Sequence, residues 1–314
     1  MTKELYDAQG AILVDQLNAL TSARPEELAI LSEERYNQQM RSACGHISQN
    51  LTHAHIVLLA GPSASGKTVT AHRFRTMLKE EFGINSFVVS LDDFYINQSN
   101  LPVLPDGSRD LETIYALDIE CIHQCFKELT NTGRASLPTF DFMTASRSTA
   151  TNEIILGDSD ILIVEGIHAL NPLITEGNDP SRFLRLYISV CGEYRLGEDI
   201  VLNHVDLRFI RRCVRDFWHR ASTLEQTAKM WRSVRDGEKR YISPYKQRAD
   251  LTIDSLILYE PCIFHHYINP LIQAMDTGDE AYPRFERIYR ALSLFRELDK
   301  KYIAGNSLLR EFID

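Results

Sequence analysis

Residues 61–68 read Gly-Pro-Ser-Ala-Ser-Gly-Lys-Thr and follow the apolar run Ile56-Val57-Leu58-Leu59-Ala60. The spacing is G-x-x-x-x-G-K-T, set between a strand-like run and a segment with helical patterning, the context in which such a loop cradles phosphate. Its glycines let the backbone curl with N–H groups turned inward, and the helix that follows adds a dipole favourable to an anion. A loop of this kind leaves a buried strand and enters a helix directly, which commits the surrounding chain to alternating strands and helices. Gly61, Pro62, Ser63, Ala64, Ser65, Gly66, Lys67 and Thr68 are therefore the expected contacts to a nucleoside triphosphate. Lys67 brings a mobile positive charge to the outer phosphates, and the Thr68 hydroxyl is placed to ligate Mg²⁺.

The rest of the chain continues that alternation. Val69–Phe82 reads as a helix stopped by Gly83, and Ser86–Leu91 as a second strand ending in Asp92-Asp93-Phe94-Tyr95. Pro102 to Arg109 reads as a turn-rich loop, and Leu117–Leu129 as a helix. Pro138–Phe142 and Glu153–Leu156 read as short strands of a small β excursion, with Arg147 between them. Asp160–Gly166 is an apolar strand carrying Glu165 at its tip, and Phe183–Val190 is another. Asp206–Arg220 and the segment from Thr223 read as helices, Asp250–Leu258 holds a last strand, and Glu260–Met275 and Pro283–Lys300 read as helices. The expected fold is α/β: a P-loop NTPase-type parallel sheet with helices on both faces, a small β excursion and an N-terminal helical extension. In that extension Leu5, Ala8, Ile12, Leu13, Leu17 and Leu20 recur at helical spacing. The expected division is 1–50 for the extension, 51–275 for the nucleotide-binding domain and 276–314 for a C-terminal helical segment packed on it.

Charge limits the partners. The 314 residues carry a formal net charge of −9, unsuited to a nucleic-acid backbone, yet residues 206–248 hold twelve Lys/Arg against five Asp/Glu. A basic segment in an acidic chain suits a small polyanion. The six cysteines form no C-x-x-C pair and no metal-ligand spacing, so reduced thiols are expected. No apolar run approaches membrane-spanning length and no signal-like start is seen, which reads as a cytoplasmic chain with no membrane partner. The sequence leaves the oligomeric state open, a homo-oligomer included.

Two features bear on the reaction. Glu165 at a strand tip beside the P-loop has the logic of a Walker-B carboxylate that holds Mg²⁺ or its water, while Asp92 and Asp93 end a neighbouring strand, where open α/β sheets place their ligands. An ATPase needs such a carboxylate for the metal; a kinase needs another to accept a hydroxyl proton. Arg208, Arg211, Arg212 and Arg215 occupy one helix opposite its apolar stripe of Phe209, Ile210, Cys213 and Phe217. Arg212 and Arg215 share a face, and Arg220 near the helix end reads as lying on a different one. Arginines brought over a nucleotide stabilise the charge that phosphoryl transfer spreads over its oxygens, so a lid is expected; a solvated helix face is the alternative.

Together, Gly61–Thr68, Ser90–Tyr95, Pro138–Phe142 with Ser146-Arg147, Ile163–Pro172, Arg211–Asp216, Trp231–Glu238 and Asn306–Ile313 resemble the uridine kinase/phosphoribulokinase family of P-loop kinases, in its bacterial uridine kinase-like branch. The resemblance implies phosphoryl transfer from ATP, with Mg²⁺, to the 5′-hydroxyl of a nucleoside. It implies Asp92 as general base, Tyr95, Glu112, Phe140 and Arg147 in the acceptor pocket, and Lys67, Arg212, Arg215 and Arg220 at the phosphates. It also implies Thr68 and Glu165 at the metal. The chain departs from the family's pyrimidine nucleoside kinases where Phe140 stands for Tyr and Ala145 for His, and again at Ser222 in place of a lid arginine. A purine nucleoside, another sugar or sugar-phosphate acceptor, and a nucleotide-dependent regulatory protein without acceptor chemistry stand as alternatives.

Overall fold

The computed structural model describes residues 2–51, 55–101, 103, 107, 109–141 and 144–313, with side chains from Glu4 onward. Near the amino terminus come β1 (Ile12–Leu13), α1 (Val14–Ala23) and α2 (Pro25–Asn50). β2 (Ile56–Ala60) runs into α3 (Lys67–Phe82) through the P-loop, and β3 (Ser86–Ser90) follows. Next are α4 (Ile119–Thr132), β4 (Arg134–Asp141), β5 (Ser146–Ile155), β6 (Ile161–Glu165) and the short α5 (Pro172–Thr175). β7 (Phe183–Ser189), β8 (Tyr194–Leu196) and β9 (Asp199–Leu202) lead to α6 (His204–Arg220) and α7 (Leu224–Gly237). The chain ends with β10 (Leu251–Asp254), α8 (Glu260–Gln273), α9 (Tyr282–Leu292) and α10 (Arg310–Ile313).

Five parallel strands form the central sheet in the order β10-β7-β2-β6-β3. β2 is buried at every position, the signature of a parallel strand covered on both faces. Val57 and Leu59 join the apolar cluster on one face, and Ile56, Leu58 and Ala60 join the cluster on the other. The first cluster runs without a break through Leu17, Leu28, Tyr36 and Met40 of α1 and α2 and through Phe285, Leu308 and Phe312 near the carboxyl terminus. The fold is thus the expected P-loop α/β architecture, and it collects the tips of β2, β3 and β6 at one edge. Among the described residues no helix is long and apolar enough to cross a membrane.

Four local expectations change. The helix read over Pro283–Lys300 spans only Tyr282–Leu292. The helical spacing through Leu5–Leu13 does not make a helix there: Asp7 turns the chain, its Oδ1 accepting from the N–H groups of Gln9 and Ala11 at 2.8 and 2.9 Å, and Ile12–Leu13 pair in parallel with Tyr194–Arg195. The β excursion is longer than its two apolar runs, an antiparallel hairpin in which Arg147 belongs to β5 and faces Phe140. α6 starts at His204, earlier than the apolar pattern, because Asn203 and Asp206 form a capping box. Within the Pro102–Arg109 loop, residues 102, 104–106 and 108 lie outside the described residues, as does Phe142 of the excursion.

Candidate active site

The P-loop leaves β2 at Gly61 and enters α3 at Lys67. Gly66 sits at φ 88°, a left-handed conformation suited to glycine, and a Cβ there would meet Leu308 Cδ1 at 2.7 Å. Ser63, Ala64, Gly66, Lys67 and Thr68 line a cavity of about 430 Å³. Pro62 and Ser65 act from behind: the Pro62 carbonyl accepts from Lys67 Nζ at 3.3 Å, and Ser65 is fully buried. Burial pulls the Lys67 ammonium below its ordinary pKa, opposed by the carboxylates of Glu165, Asp92 and Glu311.

The strand tips supply those acids. Glu165 ends β6 beside Ser90 of β3, and its Oε1 accepts from Thr68 Oγ1 at 3.1 Å. Burial raises its pKa, with Lys67 and hydrogen bonds from Ser90 and Thr68 opposing. Beyond β3, residues Leu91–Phe94 form a single 3₁₀ turn, in which the Asp92 N–H donates to Ser90 Oγ at 3.3 Å. That turn sends Asp92 into the cavity and Asp93 away from it, into a cleft with Arg75 and Pro138. Burial, reinforced by Glu165, pushes the Asp92 carboxyl up to about 6 against the pull of Lys67.

Glu112 lines the same cavity, its carboxyl raised to about 7 by burial despite Arg212 and Lys67. α7 ends against it with a glycine, because a Cβ on Gly237 would lie 2.4 Å from Glu112 Cβ. Tyr95 and Phe140 also line the cavity, their rings 5.8 Å apart and tilted, and Tyr95 Oη donates to the Leu111 carbonyl at 3.2 Å. Arg147 does not line it: its Nη1 pairs with Asp118 Oδ2 at 2.8 Å, the carboxylate that also caps α4. Arg109 likewise turns to the Leu101 carbonyl.

The arginine helix divides its labour. Arg208 and Arg211, opposite the apolar stripe by sequence, are 1% and 0% exposed. Each meets a carboxylate remote in sequence, Arg208 pairing with Glu238 at 2.8 Å and Arg211 with Glu260 at 2.6 Å, and their guanidinium groups reach the Ser63 and Ala64 carbonyls at 3.0 and 3.5 Å. They brace the P-loop from behind. Arg212, Arg215 and Arg220 line the cavity together and share one buried carboxylate, Asp216, at 3.1, 3.0 and 3.5 Å. Arg220 is therefore not on a different side from its neighbours: with Arg212 and Asp216 it follows the i,i+4 row of the helix. Arg212 also donates to Ser63 Oγ at 2.8 Å. Sequence reasoning missed Ile96, Gln98, Leu101, Leu111, Ile167 and Glu311, which complete the wall. Ile167 and Glu311 lie within the stretches that carry the family resemblance, but nothing local marks either as a wall residue, and Glu311 comes from the far end of the chain.

A parallel sheet with a P-loop at its edge, carboxylates on adjacent strand tips and arginines converging on the loop defines a P-loop kinase. The chain belongs to the Phosphoribulokinase/Uridine kinase family, whose family model matches residues 56–258. It is 30% identical over 200 residues to a uridine kinase of Macrococcus caseolyticus, covering 63% of this chain and 86% of that protein. A uridine kinase of Mycoplasma genitalium is 26% identical over 199 residues, with 63% and 84% covered. Among solved structures, the phosphoribulokinase of Rhodobacter spheroides superposes with a TM-score of 0.43 at 18% identity, covering 64% of this chain and 70% of that one.

Proposed function

We propose that the protein transfers the γ-phosphoryl group of ATP to the 5′-hydroxyl of a nucleoside. The observation that carries this reading is the makeup of the cavity beyond Asp92. Tyr95, Leu111, Phe140 and Ile167 offer flat and apolar surface for a base, Glu112 offers a carboxyl for ribose hydroxyls, and the arginines nearest by sequence, Arg109 and Arg147, are turned to other partners. A phosphorylated acceptor would call for cations there. The uridine kinases similar to this chain support the same reading.

In the reaction the acceptor oxygen bonds to the γ-phosphorus as the bond from that phosphorus to the β–γ bridging oxygen breaks, and the hydroxyl proton passes to Asp92. Lys67, Arg212, Arg215 and Arg220 hold the phosphate oxygens, where donors aimed at developing charge act most strongly. The residues at that end fit Mg²⁺: the Thr68 hydroxyl and Glu165 carboxylate are adjacent hard oxygen donors. Among the described residues no three His, Cys, Asp or Glu side chains gather to hold a metal, which suits an ion shared with the triphosphate. Bound there, Mg²⁺ would neutralise charge on the β- and γ-phosphates. Phe140 and Ala145 bring neither phenol nor imidazole to the base, so the polar readout that discriminates strongly between bases is weak on that side.

ADP release measured across pyrimidine nucleosides, purine nucleosides, sugars and sugar phosphates tests the proposal. Release that depends on a nucleoside and yields its 5′-monophosphate is expected. Release that is absent or independent of acceptor overturns it in favour of a regulatory protein, and release driven by a sugar or sugar phosphate alone overturns the nucleoside assignment.

A further inference from the structure

The family model's match stops at residue 258, but the wall of the cavity does not. The last residues of the chain return to the P-loop and its surroundings. Leu308 fills the space above Gly66. Phe312 lies beneath the Arg211 guanidinium, 5.2 Å from the ring centre, where Arg211 reaches the Ala64 carbonyl. Between these anchors, Glu311 lines the cavity beside Lys67, Arg215 and Arg220. The tail is fixed by its own bonds: Arg310 donates from Nε and Nη2 to the carbonyls of Ala304 and Ile303 at 3.2 and 3.0 Å, and the Leu309 N–H donates to Ser307 Oγ at 3.2 Å. Glu311 Oε2 is shut off from solvent and has no hydrogen-bond partner among the described residues. A buried carboxylate oxygen without a hydrogen bond is tolerated where neighbouring cations supply the attraction.

We propose that Glu311 is a positioning residue of the phosphoryl-transfer centre, its carboxylate keeping Lys67 and Arg215 side by side and aimed at the phosphates. Lys67 and Arg215 repel each other across a cavity partly closed to water, and Arg215 already gives its Nε and Nη2 to Asp216. A carboxylate on the same cavity wall cancels part of that repulsion through space; of the charges around Glu311, Arg215 and then Lys67 act on it most strongly. Without it the cavity becomes more positive but its donors splay. The ground-state triphosphate then binds more tightly while the transition state loses aligned donors.

The inference rests on the kinase reading, and its first test needs no acceptor. Titration calorimetry of E311Q with ATP and Mg²⁺ is expected to give a Kd at least about twofold tighter than the unaltered chain, because one positive charge is uncovered. Turnover on the best acceptor is expected to fall about tenfold or more, with E311D recovering part of it. An equal or weaker Kd, turnover within twofold of normal, or a raised Mg²⁺ requirement with normal turnover at saturating Mg²⁺ each overturns the assignment. If E311Q shows no cooperative thermal transition, E311D, which keeps the charge but withdraws it by one methylene, is read instead: lowered turnover with an unchanged Kd for ATP is expected, and normal turnover overturns the assignment. If no nucleoside is phosphorylated at all, the acceptor assignment falls while the calorimetric arm still decides the part played by Glu311.

Discussion

Asp92 and Asp93 are adjacent beyond the same strand, and their surroundings differ because the 3₁₀ turn that holds them rotates one into the cavity and the other toward the hairpin. A carboxyl that titrates at about 6 is a better proton acceptor than an ordinary aspartate and is still ionised at neutral pH. As the proposed general base it must be deprotonated, so kcat/KM is expected to fall about tenfold per pH unit below pH 6 and to flatten above it. In D92N that acidic limb should vanish along with turnover, while ATP binding measured by calorimetry is largely retained. Stability follows from the same shift. The folded state holds this proton more tightly than the unfolded chain, so the contribution is fully present below the unfolded pKa and is lost as pH rises through about 6. D92N is therefore expected to have the higher Tm at pH 8, with the gap closing toward pH 4, as read by differential scanning calorimetry.

At the scale of the element, α6 is a bracket with two sides. Its apolar stripe was legible from Phe209, Ile210 and Cys213, all fully buried. The uses of its arginines were not, because Glu238 and Glu260, which draw Arg208 and Arg211 into the interior, are 30 and 49 residues away in the chain. Asp216 is the pivot of the outer side. It is 2% exposed and is the common acceptor for Arg212, Arg215 and Arg220, so taking its charge away leaves three cations facing one another. Breaking a buried ion-pair cluster from one partner costs about 3–5 kcal/mol. D216N is expected to lower Tm by several degrees and turnover by at least an order of magnitude. R220A removes a half-exposed arginine and should leave Tm nearly unchanged while still reducing turnover. A thermal melt paired with kinetics on both variants separates bracing from chemistry.

For the whole molecule, the first fifty residues and the last forty share one interior with the P-loop. Tyr36 of α2 is fully buried, its Oη bonds Thr70 Oγ1 at 2.6 Å, and Thr70 in turn donates to the Gly66 carbonyl at 2.6 Å. Deleting residues 1–50 would remove Leu17, Leu28, Met40, Cys44 and Ile47 from the cluster they share with α3 and uncover its Ala71, Phe74 and Leu78. The truncated chain is expected to lose its cooperative thermal transition, which circular dichroism on heating would show; a truncated chain melting like the intact one would refute that shared interior. From the sequence alone came the loop that fixes β2 and α3, the acid at the tip of β6, the Asp-Asp pair and the arginine-rich helix. Each of these is a local matter of spacing and residue type. Only the tertiary structure decided which aspartate enters the cavity, that Arg147 bonds Asp118 instead of lining it, that Ile12 and Leu13 pair as a strand, and that Glu311 completes the wall. Those outcomes depend on which remote charge or backbone edge comes within a few ångströms, and no local pattern carries that information.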